Sequence, residues 1–172
     1  RNKYLLMADL NYSNLQSELV KYGTLLVERY KAQLKIDGTQ ATGDTEKSLN
    51  YIVGSGQLEI LADKSLEYID KGRGPGEAPP ISDILRWAES KNIKPRGKGG
   101  SFIKVSDKSL FWMAGNISNA IRDKGTIKRF GYKGSGIIDF VYQNNKEEML
   151  NNIFAAYGRD VQEQIDQIVK TQ

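Results

Sequence analysis

The chain contains no cysteine and no histidine. Their absence excludes zinc ribbons, thiol nucleophiles, redox pairs, Ser–His–Asp triads and imidazole-centred metal sites. Many common enzyme classes fall at once. Proline is scarce as well: there are four in 172 residues, and three of them lie at Pro75, Pro79 and Pro80. No apolar run approaches the roughly 18 residues of a membrane span. The opening Arg1-Asn-Lys-Tyr-Leu-Leu-Met-Ala puts basic residues before apolar ones, as a signal peptide does, but Asp9 cuts the apolar part short. It reads as an arm or an edge strand of an intracellular product, and a start at Arg1 reads as a processed N-terminus. What is present, 39% hydrophobic and 27% charged residues, is the composition of a soluble globular domain. A chain this long buries a core without a disulfide or a metal.

Charge is unevenly spread, which matters more than the net +4. From Lys91 to Lys133 there are eleven Lys or Arg against Asp107 and Asp123, so this stretch is +9 and the remainder is −5. Such a segment can face phosphate backbones or an acidic protein surface. It can equally be a solvated loop that keeps the protein soluble. Phe102, Phe111, Trp112, Phe130 and Tyr132 interleave with the basic residues, a weak nucleic-acid signal because two of them belong to a helical apolar face.

Hydrophobic spacing predicts the elements. Leu15, Leu19, Tyr22, Leu26 and Tyr30 mark an amphipathic helix from Ser13 to about Ile36, with Ser13-x-x-Gln16 in the form of a capping box. Alternation at Leu49, Tyr51 and Val53 and at Leu58, Ile60 and Ala62, across Gly54-Ser-Gly56, predicts a β-hairpin with one buried face. Leu66 to Ile69 is expected to be a third strand. Ile81, Ile84, Leu85 and Ala88 share a helical face that starts at Pro80. A basic loop from Lys91 to Ser101 follows. Asp107 to Lys124 is expected to be a helix with Leu110, Phe111, Ala114, Ile117 and Ile121 inward. Gly125 to Gly136 reads as another basic, glycine-rich loop, and Ile137 to Tyr142 as strand or helix. Asn145-x-x-Glu148 is expected to cap a last helix with Met149, Ile153, Tyr157, Val161, Ile165 and Ile168 in register. The plan is α+β: a small antiparallel sheet packed against several helices, with long N-terminal and C-terminal helices. Residues 1–12 form an arm and 13–172 a single domain.

The residues offer little chemistry. Glu89-Ser-Lys91, with Asp83 upstream, has the spacing of a metal nuclease, but on a helix the two side chains point differently. Asp63, Glu67 and Asp70 near Lys71 read as polar positions on the outer face of strands. Gly97-Lys-Gly-Gly-Ser lacks the earlier glycine and the leading strand of a phosphate loop. Asn11-Tyr-Ser and Asn116-Ile-Ser match glycosylation acceptors without secretory context. No catalytic constellation, metal site or cofactor site is expected.

The most unusual segment is Gly72-Arg-Gly-Pro-Gly-Glu-Ala-Pro-Pro80, entered from Tyr68 and left through a helix holding Trp87. Three glycines and three prolines exclude helix and ladder alike. Glycines let another backbone approach closely, and prolines lower the entropy lost on docking. Such a turn suits packing between subunits. It also suits a tight connection within the chain, with Trp87 as a core anchor.

This segment, together with Glu89-Ser-Lys-Asn-Ile93 and with Ala114-Gly-Asn-Ile-Ser-Asn-Ala-Ile-Arg-Asp-Lys-Gly-Thr126, resembles the neck or tail-completion proteins at the head–tail junction of tailed bacteriophages. The shared pattern is an amphipathic helix, a Thr-Gly before a Ser-Leu (Thr42-Gly43 and Ser48-Leu49), a hairpin, and a strand entering the Gly-Arg-x-Pro-Gly-x-x-Pro-Pro turn. A helix with Trp and a helix ending in Ile-x-x-x-Gly-Thr complete it. The resemblance runs in order over residues 13 to 170. The chain departs from the pattern at Thr45, where leucine is usual, and in the extended basic loop around Lys94 to Lys104. It implies a non-enzymatic structural subunit that forms rings with copies of itself, between portal or connector and tail-tube proteins, in the virion and, during assembly, in the host cytoplasm. It further implies intersubunit docking by Tyr68, Gly72, Arg73, Pro75, Pro79, Pro80 and Trp87. Lys94, Arg96, Lys98, Lys128 and Arg129 would face DNA in transit or an acidic partner. No membrane is involved. The competing expectation from charge is a cytoplasmic nucleic-acid-binding protein using residues 91–133.

Overall fold

A computed structural model describes residues 12–39, 42–54, 56–97 and 99–170, with the side chains of 128–130 excepted. Its elements are α1 (Ser13–Ile36), α2 (Asp44–Ser48), β1 (Asn50–Gly54), β2 (Gln57–Leu61), α3 (Lys64–Lys71), α4 (Ile81–Ser90), α5 (Asp107–Phe130) and α6 (Ile137–Lys170). Among the described residues the sheet is one antiparallel hairpin, with Tyr51 opposite Ile60 and Val53 opposite Leu58. The fold is the expected α+β arrangement with long first and last helices.

The apolar face of α1 organises the main core. Tyr22, Leu26, Val27, Tyr30 and Leu34 are buried with Leu49, Leu66, Ile137, Val141 and Met149, and Tyr51, Leu58 and Ile60 of the hairpin pack against them. α1 and α6 run antiparallel: Asn152 Nδ2 donates to the Tyr22 hydroxyl at 2.6 Å, and Tyr30 lies opposite Ile138. A second, smaller core joins α4 to α5 through Ile84, Ala114 and Ile121, with Ile81, Leu85, Trp87 and Ile117 around them.

Gly23 sits where the hairpin meets α1. A Cβ there would fall 2.4 Å from Cδ2 and 2.6 Å from Cγ of Tyr51, whose hydroxyl is 3.0 Å from Thr24 Oγ1. Helix propensity favours alanine over glycine by about 1 kcal/mol, but displacing a ring near its root costs about 1–3 kcal/mol. Gly23→Ala is therefore expected to be net destabilising. A urea midpoint above that of the unsubstituted protein would contradict this packing.

Several local expectations are corrected. Residues 66–69 are not a strand but part of α3. The Asp63 carboxylate accepts the Ser65 amide at 3.0 Å and starts the helix, and Leu66 and Ile69, three apart, turn to the main core. Accordingly Asp63, Glu67 and Asp70 are not on strands. Phe111 does not point inward and is 55% exposed, because the α5 face toward α4 is set by Ala114, Ser118 and Ile121. Helix resumes after Gly125 as far as Phe130, so only residues 131–136 are loop there. Residues 137–142 are helix, the first turns of α6. Asn145 is not a cap: it lies within α6 and its Nδ2 donates to the Val141 carbonyl at 2.7 Å. Tyr157, Ile165 and Ile168 are exposed rather than inward: Tyr157 stacks on Tyr12 at the start of α1, with ring centroids 5.9 Å apart, and α1, which begins beside Asp160, does not extend along the turns that carry Ile165 and Ile168.

The capping box at Ser13 is likewise absent. Ser13 is the first helical residue, Tyr12 occupies the cap position, and no local side chain serves it. Asp160 of α6 does so instead. Its Oδ1 accepts the Asn14 amide at 2.9 Å, its Oδ2 the Leu15 amide at 2.8 Å, and Asn14 Nδ2 adds a third bond at 2.7 Å. α6 is itself served from a distance, by Asp70 of α3, whose carboxylate accepts the Ile138 amide at 2.9 Å. The first and last helices thus present the positive end of their dipole to a carboxylate from another element.

Candidate functional site

The Gly72–Pro80 turn connects the two cores, and it is fastened to α5 by backbone. Gly125 interrupts α5 with φ 67° and ψ −174°, a conformation open to glycine alone. At this kink Arg73 and Thr126 bond reciprocally. The Arg73 amide donates to Thr126 Oγ1 at 2.8 Å, and the Thr126 amide donates to the Arg73 carbonyl at 2.7 Å. Further along, the Gly76 amide donates to the Arg122 carbonyl at 2.8 Å. The buried Ser118 hydroxyl donates to the Pro79 carbonyl at 2.6 Å. On the other side, a Cβ on Gly134 would lie 2.1 Å from the Asp70 carbonyl oxygen. The close backbone approach that the glycines permit is therefore made within the chain.

Each expected docking residue can be placed. Tyr68 belongs to α3 rather than to a strand, and the Arg73 guanidinium lies over its ring at 4.7 Å from the centroid. Arg73 also donates to the Glu77 carbonyl, so its side chain is half-buried rather than free. Gly72 ends α3 with φ 73°, close against Ile127 and the Tyr132 carbonyl. Pro79 is half-buried, while Gly74, Pro75, Gly76 and Glu77 form an exposed tip and Pro80 opens α4. Trp87 is half-buried in the smaller core. It also reaches a 370 Å³ hollow shared with Thr42, Gly43, Asp44 and Arg86, where Arg86 pairs with Asp44 at 3.1 Å and with Asp83 at 3.0 Å. The segments that carry the resemblance are thus brought together around α4.

The basic residues behave differently. Lys94 and Arg96 are exposed on the loop before α5, and the Arg96 guanidinium stacks on Phe102 at 4.7 Å from the ring centroid. Lys98 lies outside the described residues. Lys128 and Arg129 are on helical backbone beyond the kink, and their side chains also lie outside them. Glu89 is exposed near the end of α4, and Lys91 turns its Nζ to the Gly38 carbonyl at 3.0 Å. Among the described residues there is no group of three carboxylates able to hold a metal ion, and no helix long and apolar enough to cross a membrane.

Sequence reasoning missed Thr126 and Ser118 as partners of the turn, Gly134 as the close neighbour of the end of α3, and Asp160 and Asp70 as caps. Gly125-Thr126 carried a usable signal, a glycine inside an otherwise helical pattern. The others carried none, because each meets its partner 39 to 146 residues away. No known protein family, curated protein or solved structure matches the chain.

Proposed function

We propose that the chain is a non-enzymatic structural subunit of a bacteriophage virion, forming a ring at the head–tail junction that joins the connector to the tail. The observation that carries this reading is the meeting of Arg73 with Thr126. The Gly-Pro turn, within the most specific part of the resemblance, and the Gly-Thr at the α5 kink, from its looser remainder, form one backbone junction. The junction leaves a short exposed tip at Gly74–Glu77 held at both ends. A tip already ordered in the free subunit loses little entropy when a neighbour docks on it, which is what a repeated assembly contact requires. Its neighbours would be copies of the chain, and portal and tail-tube proteins would lie above and below.

Arg73→Ala is expected to leave the subunit folded, at a cost of about 1 kcal/mol for the lost stacking on Tyr68, yet to lower particle yield. Normal yield would count against docking through this turn. The reading as a whole is tested by quantitative mass spectrometry of purified virions, counting this chain against a capsid protein. A low, fixed copy number matching a cyclic ring supports it; absence from particles overturns it. The second reading, a cytoplasmic nucleic-acid-binding protein, would then lead, supported by exposed Phe102 and Trp112 among basic residues. That reading demands salt-dependent DNA affinity that falls by decades between low and moderate salt.

A further inference from the structure

Large apolar side chains are left uncovered in two places of opposite charge. The first is a groove of about 850 Å³ between the loop at 93–106 and α5, floored by Ile93, Ile103, Trp112 and Met113. Trp112 is 63% exposed, and the rim carries Lys94, Arg96 and Lys108. The second is the outer face of α6. Leu150, Phe154, Gly158, Val161, Ile165 and Val169 recur at steps of four and three, all exposed but the half-buried Val161, in a strip about 29 Å long opposite the residues turned to α1. Phe154 and Val169 are each 66% exposed. Glu147 continues this strip, and Glu148 and Asp166 border it beside Lys146 and Arg159; with Asp160 buried against α1, the rest of α6 carries five carboxylates against three cations.

We propose that the groove of one subunit receives the outer face of α6 from the next copy, as a head-to-tail contact. This rests on the ring reading and names the surfaces that would build the ring. Charge selects the pairing. A symmetric contact of α6 with α6 brings acidic borders together, and groove against groove brings basic rims together; only groove with α6 satisfies both. The N-terminal stretch 1–11 is a poorer occupant, since Arg1 and Lys3 outnumber Asp9 and repeat the sign of the groove. A contact between two different patches generates a ring when its rotation closes.

The test uses the full chain and two exposed substitutions, Trp112→Glu in the groove and Phe154→Lys on α6, followed by sedimentation velocity over a concentration series. Each variant alone is expected to lose about thirtyfold or more in self-association, as removal of a central aromatic contact does. Mixed in equal amounts, they are expected to form a heterodimer and stop there, because one retains a working α6 face and the other a working groove. Ile103→Glu and Val169→Lys repeat the experiment if either first variant fails to fold. Assembly of either folded variant like the unsubstituted chain would overturn the pairing, as would a mixture no better associated than its components. An unsubstituted chain that binds duplex DNA but stays monomeric at every concentration would also overturn it. Variants that enter virions at normal copy number would sink this pairing and leave the ring reading standing. A heterodimer from a chain absent from virions would do the reverse.

Discussion

Gly125→Ala is expected to destabilise the protein by about 3 kcal/mol or more, combining a backbone conformation that costs about 1–3 kcal/mol for any other residue with a steric clash. A Cβ at this position would lie 2.2 Å from the Arg73 carbonyl oxygen and 2.7 Å from the Gly74 carbonyl carbon. Both obstacles are backbone, so no rotamer relieves them. The turn would have to lift off α5, breaking the reciprocal Arg73–Thr126 bonds and loosening the link between the two cores. Gly115, also in α5, is the control, because nothing lies within 4 Å of its would-be Cβ. Gly115→Ala should raise stability by about 0.5–1 kcal/mol through helix propensity alone. Urea midpoints of the two variants should therefore move in opposite directions. Equal midpoints would mean that the turn is not seated in the kink. On the proposed ring reading, the same seating holds the exposed tip in place, so Gly125→Ala should also impair assembly at temperatures where the chain remains folded.

Asp160→Asn is expected to cost about 1–3 kcal/mol at neutral pH, the penalty for leaving buried polar groups mispaired. The asparagine can present only one acceptor oxygen where two amides of α1 converge, and its own amide would face a donor. The pH dependence provides an independent check. Burial works to raise the Asp160 pKa, but the Leu15 and Asn14 amides, the Asn14 side chain and the nearby Arg159 cation more than reverse this and hold it below the usual carboxylate range. A carboxyl whose pKa is depressed in the folded state contributes stability that is full above its unfolded pKa and is lost as pH falls through the folded one. The difference in unfolding free energy between the unsubstituted protein and Asp160→Asn should thus be largest near neutrality and shrink on acidification. A difference independent of pH would show that the carboxylate does not hold the start of α1.

The two substitutions probe features of different legibility. The Gly-Pro turn was visible as a sequence of glycines and prolines incompatible with any regular element. That it would pack on another surface, a neighbouring subunit's or its own chain's, was also legible, since such a segment has few side chains with which to hold itself. What it would dock against was not, because the answer lay at Gly125 and Thr126, beyond α4 and a basic loop. The strand assigned to 66–69 failed for a related reason. Over four residues, Leu-Glu-Tyr-Ile fits a period of two as well as a period near four, and the decision fell to Asp63 as a cap and to the core beneath Leu66 and Ile69. Asn145 misled in the opposite direction: a polar residue three before a glutamate looks like a helix start, yet inside α6 it only folds back on Val141.

By itself the sequence determined the class of fold, the spans of the long first helix, the hairpin and α4, and the absence of cysteine and histidine chemistry. Those properties depend on composition and on hydrophobic periods, which are written into consecutive residues. Tertiary structure alone decided that Asp160 and Asp70 start the first and last helices, that the turn is seated on its own chain, and that the basic groove and the outer face of α6 stay uncovered. The physical reason is that capping, backbone contact and exposure depend on groups brought together from distant parts of the chain, and a carboxylate can complete a helix end from any element that carries it there.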